Sequence, residues 1–119
     1  MPHPIVGLWK VTITFDDKEF KTAQNYLPDG QIINDAGIMV SSGLWAATGE
    51  RSVRFASVRP MVTGTLMDRE FHGWNEAWGE ATVNEDDVLV SETEFEATDE
   101  QGQPRKGVVR TRGERVTLE

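Results

Sequence analysis

Two carboxylates and two indole rings that together could form an acid–base site alternate along one short stretch of the chain. Trp74, Glu76, Trp78 and Glu80 lie two residues apart, a spacing that places them on one face of a β-strand. A carboxyl group packed against indole rings in a dry cavity has a raised pKa and can exchange a proton near neutral pH. If this face points into the protein, Glu76 and Glu80 are candidate catalytic residues, and Trp74 and Trp78 are candidate walls of a ligand site.

The direction of this face depends on the hairpin that follows it, because a slip of one residue exchanges the two faces of a strand. A four-residue turn pairs Val83 with Val88 and points both tryptophans and both glutamates inward. A three-residue turn pairs Val83 with Leu89, points the same side chains outward and sets Glu80 opposite Glu92. Facing like charges disfavour the second turn, whereas the cost of burying two carboxylates disfavours the first. Both orientations remain open at this point.

The stretch from Ile5 to Phe15 predicts the clearest strand of the chain. It is rich in β-branched and aromatic residues, and Trp9, Val11 and Phe15 fall on one of its two alternating faces. A glycine, Gly7, precedes Trp9 by two residues. This spacing lets the backbone bend while the indole ring closes the end of a barrel.

Turn residues recur at short intervals and divide the chain into eight predicted strands. Pro60 is expected to end the fifth strand, because proline cannot donate to a strand ladder, and residues 61–72 are predicted to be a connection or a ragged strand. Consecutive hairpins of this kind predict an all-β, eight-stranded antiparallel up-and-down barrel, which closes and leaves no free edge. One domain spans residues 1–119, with residues 1–4 expected to form a mobile tail. The predicted strands are 5–15, 20–27, 31–36, 44–48, 52–58, 73–83, 88–97 and 105–118.

The last two predicted strands complement each other when their hairpin is centred near Gln101. Apolar or small residues then face each other on one side, and opposite charges face each other on the other side. The inward pairs are Leu89–Gly113, Thr93–Val109 and Phe95–Gly107, and the outward pairs are Glu92–Arg110 and Glu96–Lys106. The inward face of the last strand ends with Arg115.

The combination of Gly7 and Trp9 with Arg115 resembles the lipocalin-like barrels of the calycin superfamily. In that family an arginine on the last strand packs across the tryptophan of a G-x-W motif. The resemblance covers both ends of the chain and implies a cation–π contact of Arg115 with Trp9, worth on the order of 1 kcal/mol. It also implies a barrel with room for one small ligand.

The alternation of the strands predicts which other side chains line such a barrel. Candidate ligand-binding residues are Tyr26, Trp45, Phe55, Arg59 and Thr93. Arg59 precedes a proline at the predicted end of a strand, where it could meet a ligand carboxylate at the barrel mouth. An ordinary surface arginine is the simpler interpretation.

Composition and motifs exclude several classes of function. The 119 residues include no cysteine, which excludes disulfides, zinc–thiolate sites and thiol nucleophiles. A net charge of −8 argues against binding to nucleic acid or to anionic membranes. No apolar run is long enough to span a bilayer, and no signal peptide is recognisable, so a cytoplasmic location is expected. The chain lacks phosphate-binding, dinucleotide-binding and zinc motifs, so we expect neither a metal nor another cofactor.

Three functions are compatible with these patterns. The first is binding of a small hydrophobic or amphipathic molecule in the barrel lumen, by a monomer or a homodimer. The second, which the family resemblance implies, is a cofactor-free cyclase or isomerase for a polyketide- or terpene-like substrate, with Glu76 or Glu80 moving a proton. The third is a homodimeric interaction module with Trp74 and Trp78 on the outside.

Overall fold

The computed structural model describes residues 2–37, 40–65, 67–98 and 101–118 of the chain. The regular elements of the described part are eight β-strands, and no helix there is long and apolar enough to cross a membrane. The strands are β1 Gly7–Phe15, β2 Lys18–Tyr26, β3 Gln31–Asp35, β4 Val40–Ala47, β5 Ser52–Thr65, β6 Asp68–Val83, β7 Val88–Thr98 and β8 Pro104–Arg115.

Each strand pairs antiparallel with the next, and β8 pairs with β1 to close the barrel. This confirms the predicted all-β, eight-stranded up-and-down barrel. The predicted pairing of the last two strands is also confirmed, since β7 and β8 are in register from Val88–Glu114 to Thr98–Pro104. The five predicted pairs, including Leu89–Gly113 and Glu92–Arg110, all occur in this register.

The prediction that Pro60 ends the fifth strand is wrong. β5 continues to Thr65 and forms a long hairpin with β6, with Pro60 opposite Trp74 and a register shift between Met61 and Val62. The described pairing of β4 with β5 ends at Val58, directly before this segment. A proline on a strand edge without a partner removes no ladder hydrogen bond, which is why the strand can pass through it.

One end of the barrel is closed by the N-terminal segment and by the most deeply buried side chains of the core. The Trp9 indole N–H donates to the carbonyl of Ile5 at 2.8 Å, and both residues are fully buried. Of the tail predicted for residues 1–4, Met1 lies outside the described residues. His3 accepts a hydrogen bond from the backbone N–H of Ile5 at Nδ1 and contacts the Gly49 carbonyl through Nε2. The predicted contact of Arg115 with Trp9 is confirmed, with 4.3 Å between the guanidinium carbon and the ring centroid.

Candidate functional site

The hairpin between β6 and β7 decides which residues face the lumen. Its loop contains three residues, closed by a hydrogen bond of 2.9 Å from the Asn84 N–H to the Val88 carbonyl. Val83 therefore faces Leu89, and Glu80 faces Glu92. The inward orientation of Trp74, Glu76, Trp78 and Glu80 is wrong, and the outward alternative is correct.

Two local features explain why this register prevails despite its facing carboxylates. The Asn84 side-chain oxygen accepts backbone hydrogen bonds from Asp86 and Val88, at 2.9 and 3.1 Å, which fixes the turn. Each carboxylate also has a cationic neighbour on its other side, because Glu80 pairs with Arg54 on β5 and Glu92 pairs with Arg110 on β8. Opposite charges on both flanks offset the repulsion between the facing glutamates.

All four residues of the alternating stretch are exposed on the outer surface. Trp74 is 55% exposed, and the Trp78 indole N–H donates to the Glu94 carboxylate at 2.8 Å. A proton-transfer role for Glu76 or Glu80 in a dry cavity required them to face the lumen. This geometry gives that role no support.

The lumen holds a cavity of about 240 Å³ with mixed walls. Three of the predicted ligand-binding residues, Tyr26, Phe55 and Thr93, line it. The apolar lining residues are Ile13, Ile32, Phe55, Ala77, Phe95 and Val109. The polar lining residues are Gln24, Tyr26, Asn34, Ser57, Thr93 and Thr111, and no described Asp, Glu or His joins them.

Among the polar lining residues, Tyr26, Thr93 and Thr111 are buried, and one polar atom of the lining lacks a partner. The Oδ1 atom of Asn34 is buried without a hydrogen-bond partner among the described residues. The Tyr26 hydroxyl donates to the Gln24 side-chain oxygen over a long 3.4 Å. Burial raises the pKa of Tyr26 above its ordinary value, so the phenol stays protonated and can donate to a ligand. Ser91 bonds to Thr111 and lies 3.2 Å from Thr93, which forms a hydroxyl cluster on β7 and β8.

A second cavity of about 190 Å³ forms the mouth of the lumen. It shares four lining residues with the first cavity, namely Asn34, Ser57, Ala77 and Phe95. Arg59 also lines it, and burial lowers the pKa of this guanidinium group from its ordinary value. The structure thus places Arg59 beside this second cavity, and its role in ligand binding stays a prediction.

Comparisons with known protein families, curated proteins and solved structures found no match to this chain. The closed eight-stranded barrel is compatible with a lipocalin-like fold. The resemblance to the calycin superfamily stays a prediction from the sequence.

Trp45 lies on the inward face of β4 opposite Phe55, and its side chain packs beside the cavity against Tyr26 and His3. Its indole N–H donates to the Leu27 carbonyl at 2.9 Å, and its ring meets the Tyr26 ring edge to face at a centroid distance of 6.5 Å. It is absent from the described lining of both the lumen and the mouth. Trp45 therefore positions Tyr26, which is the residue that faces the cavity.

Sequence reasoning missed Asn34, Ser57 and Thr111 as lumen residues. The signal was present, because Asn34 pairs with the lumen residue Gln24, and Thr111 lies between two inward positions of β8. Their small polar side chains gave no reason to select them. Among the described residues, no three His, Asp or Glu side chains are grouped as a metal site would require.

Proposed function

We propose that this protein binds a small amphipathic molecule in the lumen of its barrel. The observation that carries the proposal is the Asn34 side chain, whose buried oxygen has no partner in a cavity with largely apolar walls. A buried polar atom left unpaired costs about 1–3 kcal/mol. A ligand that offers a hydroxyl or amide group to Asn34 would remove this cost and would be held in a fixed orientation.

The size of the cavity restricts the ligand. An apolar cavity of about 150 Å³ accepts a benzene molecule in another protein, and the lumen here measures about 240 Å³. A single substituted ring or a short branched chain would fill it, with its polar group near Asn34 and its apolar body between Phe55 and Phe95.

Titration of the ¹⁵N-labelled protein with phenol and with toluene tests this proposal. The two probes have similar shapes, but only phenol can hydrogen-bond to Asn34, so we expect phenol to bind more tightly. Asn34→Leu keeps the branching of the side chain without its polar atoms and should abolish this preference. Equal binding of the two probes to the wild type, or an unchanged preference in the variant, would contradict the proposed polar contact.

A cavity-filling variant tests whether the lumen is the binding site. Ala77 lines both the lumen and the mouth, so Ala77→Phe should abolish the binding of phenol. Ala47→Phe is a matched control, because Ala47 is exposed at the end of β4. Phenol binding that survives Ala77→Phe would place the probe elsewhere.

A native mass spectrum that retains an extra mass, lost on denaturation, would identify the natural ligand.

A second candidate function, pairing with another copy of this chain, is favoured by the outer face of β4 to β6. This outer apolar stripe consists of Leu44, Val58, Val62, Phe71, Trp74 and Trp78, all of them exposed. Strand pairing makes it continuous, since Val62 faces Phe71 and the Phe71 and Trp74 rings lie 5.5 Å apart. An exposed patch of this kind is unusual for a protein that functions as a monomer.

The size and the charges of the stripe are compatible with a two-fold contact. One aromatic side chain can bury roughly 150–250 Å², so three aromatic and three aliphatic residues supply several hundred Å². A standard interface buries about 800 Å² on each partner. Arg54 and Glu80 lie beside the stripe with opposite charges, so a two-fold axis could pair each with its opposite on the second copy.

Light scattering after size exclusion tests the proposed dimer. The wild type should be dimeric at tens of micromolar, and Trp74→Gln should shift it to the monomer. Val108→Gln is the control, because Val108 is a comparably exposed apolar residue on β8. A wild type that is monomeric at this concentration would exclude this second function.

A further inference from the structure

Arg59 is a half-buried cation at the open end of the barrel. Its side chain follows Phe55 and Ser57 on the inward face of β5 and lines the mouth of the lumen. The described pairing of β4 with β5 ends at Ser42–Val58, directly before Arg59. The guanidinium group therefore lies at the boundary between the lumen and the solvent.

Arg59 has no counter-ion and no hydrogen-bond partner among the residues that the structure describes. By contrast, Arg115 binds both oxygens of the Asp87 carboxylate, and Arg51 donates to the Val83 carbonyl. Glu76 also lines the mouth cavity, but it belongs to the outward face of β6. Burial of Arg59 is thus not offset by an acidic neighbour.

A partly buried charge without a partner is costly, and an anion is the partner that would remove this cost. The guanidinium group presents a planar pair of donors that matches a carboxylate. The chain carries a net charge of −8, so its long-range field repels anions. An anionic ligand must therefore be held by local contacts, and Arg59 is placed to make them.

A second donor lies directly across the strand pairing. Asn75 faces Arg59 in the β5–β6 register and lines the same mouth cavity. Its Oδ1 accepts a hydrogen bond from the Thr98 backbone N–H at 3.3 Å, which leaves its NH₂ group as a donor. Arg59 on β5 and Asn75 on the neighbouring strand β6 can therefore donate to the two oxygens of one carboxylate.

We infer that the lumen ligand is a small monocarboxylate that carries a separate hydroxyl or amide donor for Asn34, an inference that rests on the lumen binding proposed above. The carboxylate pairs with Arg59 at the mouth, and the apolar body extends between Phe55 and Phe95. One molecule can reach both regions because the mouth and the lumen share the side chains of Asn34, Ser57 and Phe95.

Benzoate and benzamide test the carboxylate site, because they share a shape and differ in charge. The full-length protein should bind benzoate about tenfold to a hundredfold more tightly than benzamide, as expected for a charge-assisted contact. Arg59→Met should remove this preference, because it should weaken the binding of benzoate far more than that of benzamide. Arg54→Met should keep the preference, because Arg54 lies on the outward face of the same strand.

The outcomes separate this inference from the proposed lumen binding. If the wild type binds benzoate and benzamide equally, or Arg59→Met keeps the preference, the carboxylate site is excluded while binding of benzamide still supports the lumen site. If phenyl phosphate binds more tightly than benzoate, the assignment of the anion to the carboxylates is wrong. If neither benzoate, benzamide nor phenol binds, both proposals fail.

Discussion

The guanidinium group of Arg115 lies 4.3 Å from the centre of the Trp9 indole ring, and the two residues face each other across the pairing of β8 with β1. This contact joins the first and last strands where the barrel closes. Arg115 also donates to the Asp87 carboxylate at 2.7 and 2.9 Å and to the Val6 carbonyl at 2.9 Å. One side chain thus connects the indole ring, the β6–β7 loop and the N-terminal segment.

Arg115→Met should destabilise the protein by about 2–3 kcal/mol, because it removes the cation–π contact and the charged hydrogen bonds together. Arg115→Lys should have an intermediate effect, since lysine keeps the charge but lacks the planar pair of donors. Urea denaturation followed by tryptophan fluorescence measures both changes. Arg112→Met, on the exposed face of the same strand, is the control. If Arg115→Met destabilises the protein no more than Arg112→Met does, Arg115 does not stabilise the closure of the barrel.

The pair formed by Asp87 and Arg115 also makes stability depend on pH. The hydrogen bond from Arg115 lowers the pKa of Asp87 below its ordinary value of 3.8. A carboxylate with a lowered folded pKa contributes stability that is complete above the ordinary value and is lost as the pH falls through the folded value.

Asp87→Asn should therefore be less stable than the wild type at pH 7, and the difference should shrink as the pH falls below 3.8. Asparagine tolerates the positive φ of 59° at Asp87, so backbone strain should not mask the result. Asp86→Asn, which removes a neighbouring carboxylate of the same loop, is the control. A constant deficit of Asp87→Asn between pH 7 and pH 2 would contradict the assignment.

The barrel and its closing strand could be predicted because the side chains of β7 and β8 complement each other on both faces. Leu89 faces Gly113 inside, and Glu92 faces Arg110 outside, so only one register satisfies both sides. The contact of Trp9 with Arg115 followed from the same inward alternation, together with the resemblance to the lipocalin-like barrels.

The orientation of β6 could not be predicted, because a strand in a closed barrel has two neighbours. The repulsion of Glu80 by Glu92 could be read from the β6–β7 hairpin alone. The attraction of Glu80 to Arg54 could not, because it depends on the register of the long β5–β6 hairpin. That hairpin passes through Pro60, which is tolerated only because β4 has already ended its pairing with β5. The register of the β5–β6 hairpin and the end of the β4–β5 pairing are both set by the tertiary structure.

The three-residue loop that sets this orientation depends on Asn84. Its side-chain oxygen accepts two backbone hydrogen bonds, so Asn84→Ala should destabilise the protein by about 1–2 kcal/mol. The backbone amide of Val88 should also exchange its hydrogen faster. Glu85→Ala changes an exposed residue of the same loop and should have little effect on either measurement. Equal stabilities of the two variants would show that Asn84 does not fix the turn.

Among the residues that the structure describes, Asn34 and Thr22 each carry a buried oxygen without a partner, and the two predict different consequences for ligand binding. Asn34→Leu and Thr22→Val each remove an unpaired polar atom and keep the branching of the side chain, so both should stabilise the ligand-free protein by about 1 kcal/mol. Only Asn34 lines the lumen cavity. Saturating phenol should therefore raise the melting temperature of Thr22→Val as much as that of the wild type, and that of Asn34→Leu by less. If phenol stabilises both variants equally, Asn34 is an imperfectly packed residue of the wall and takes no part in holding a ligand.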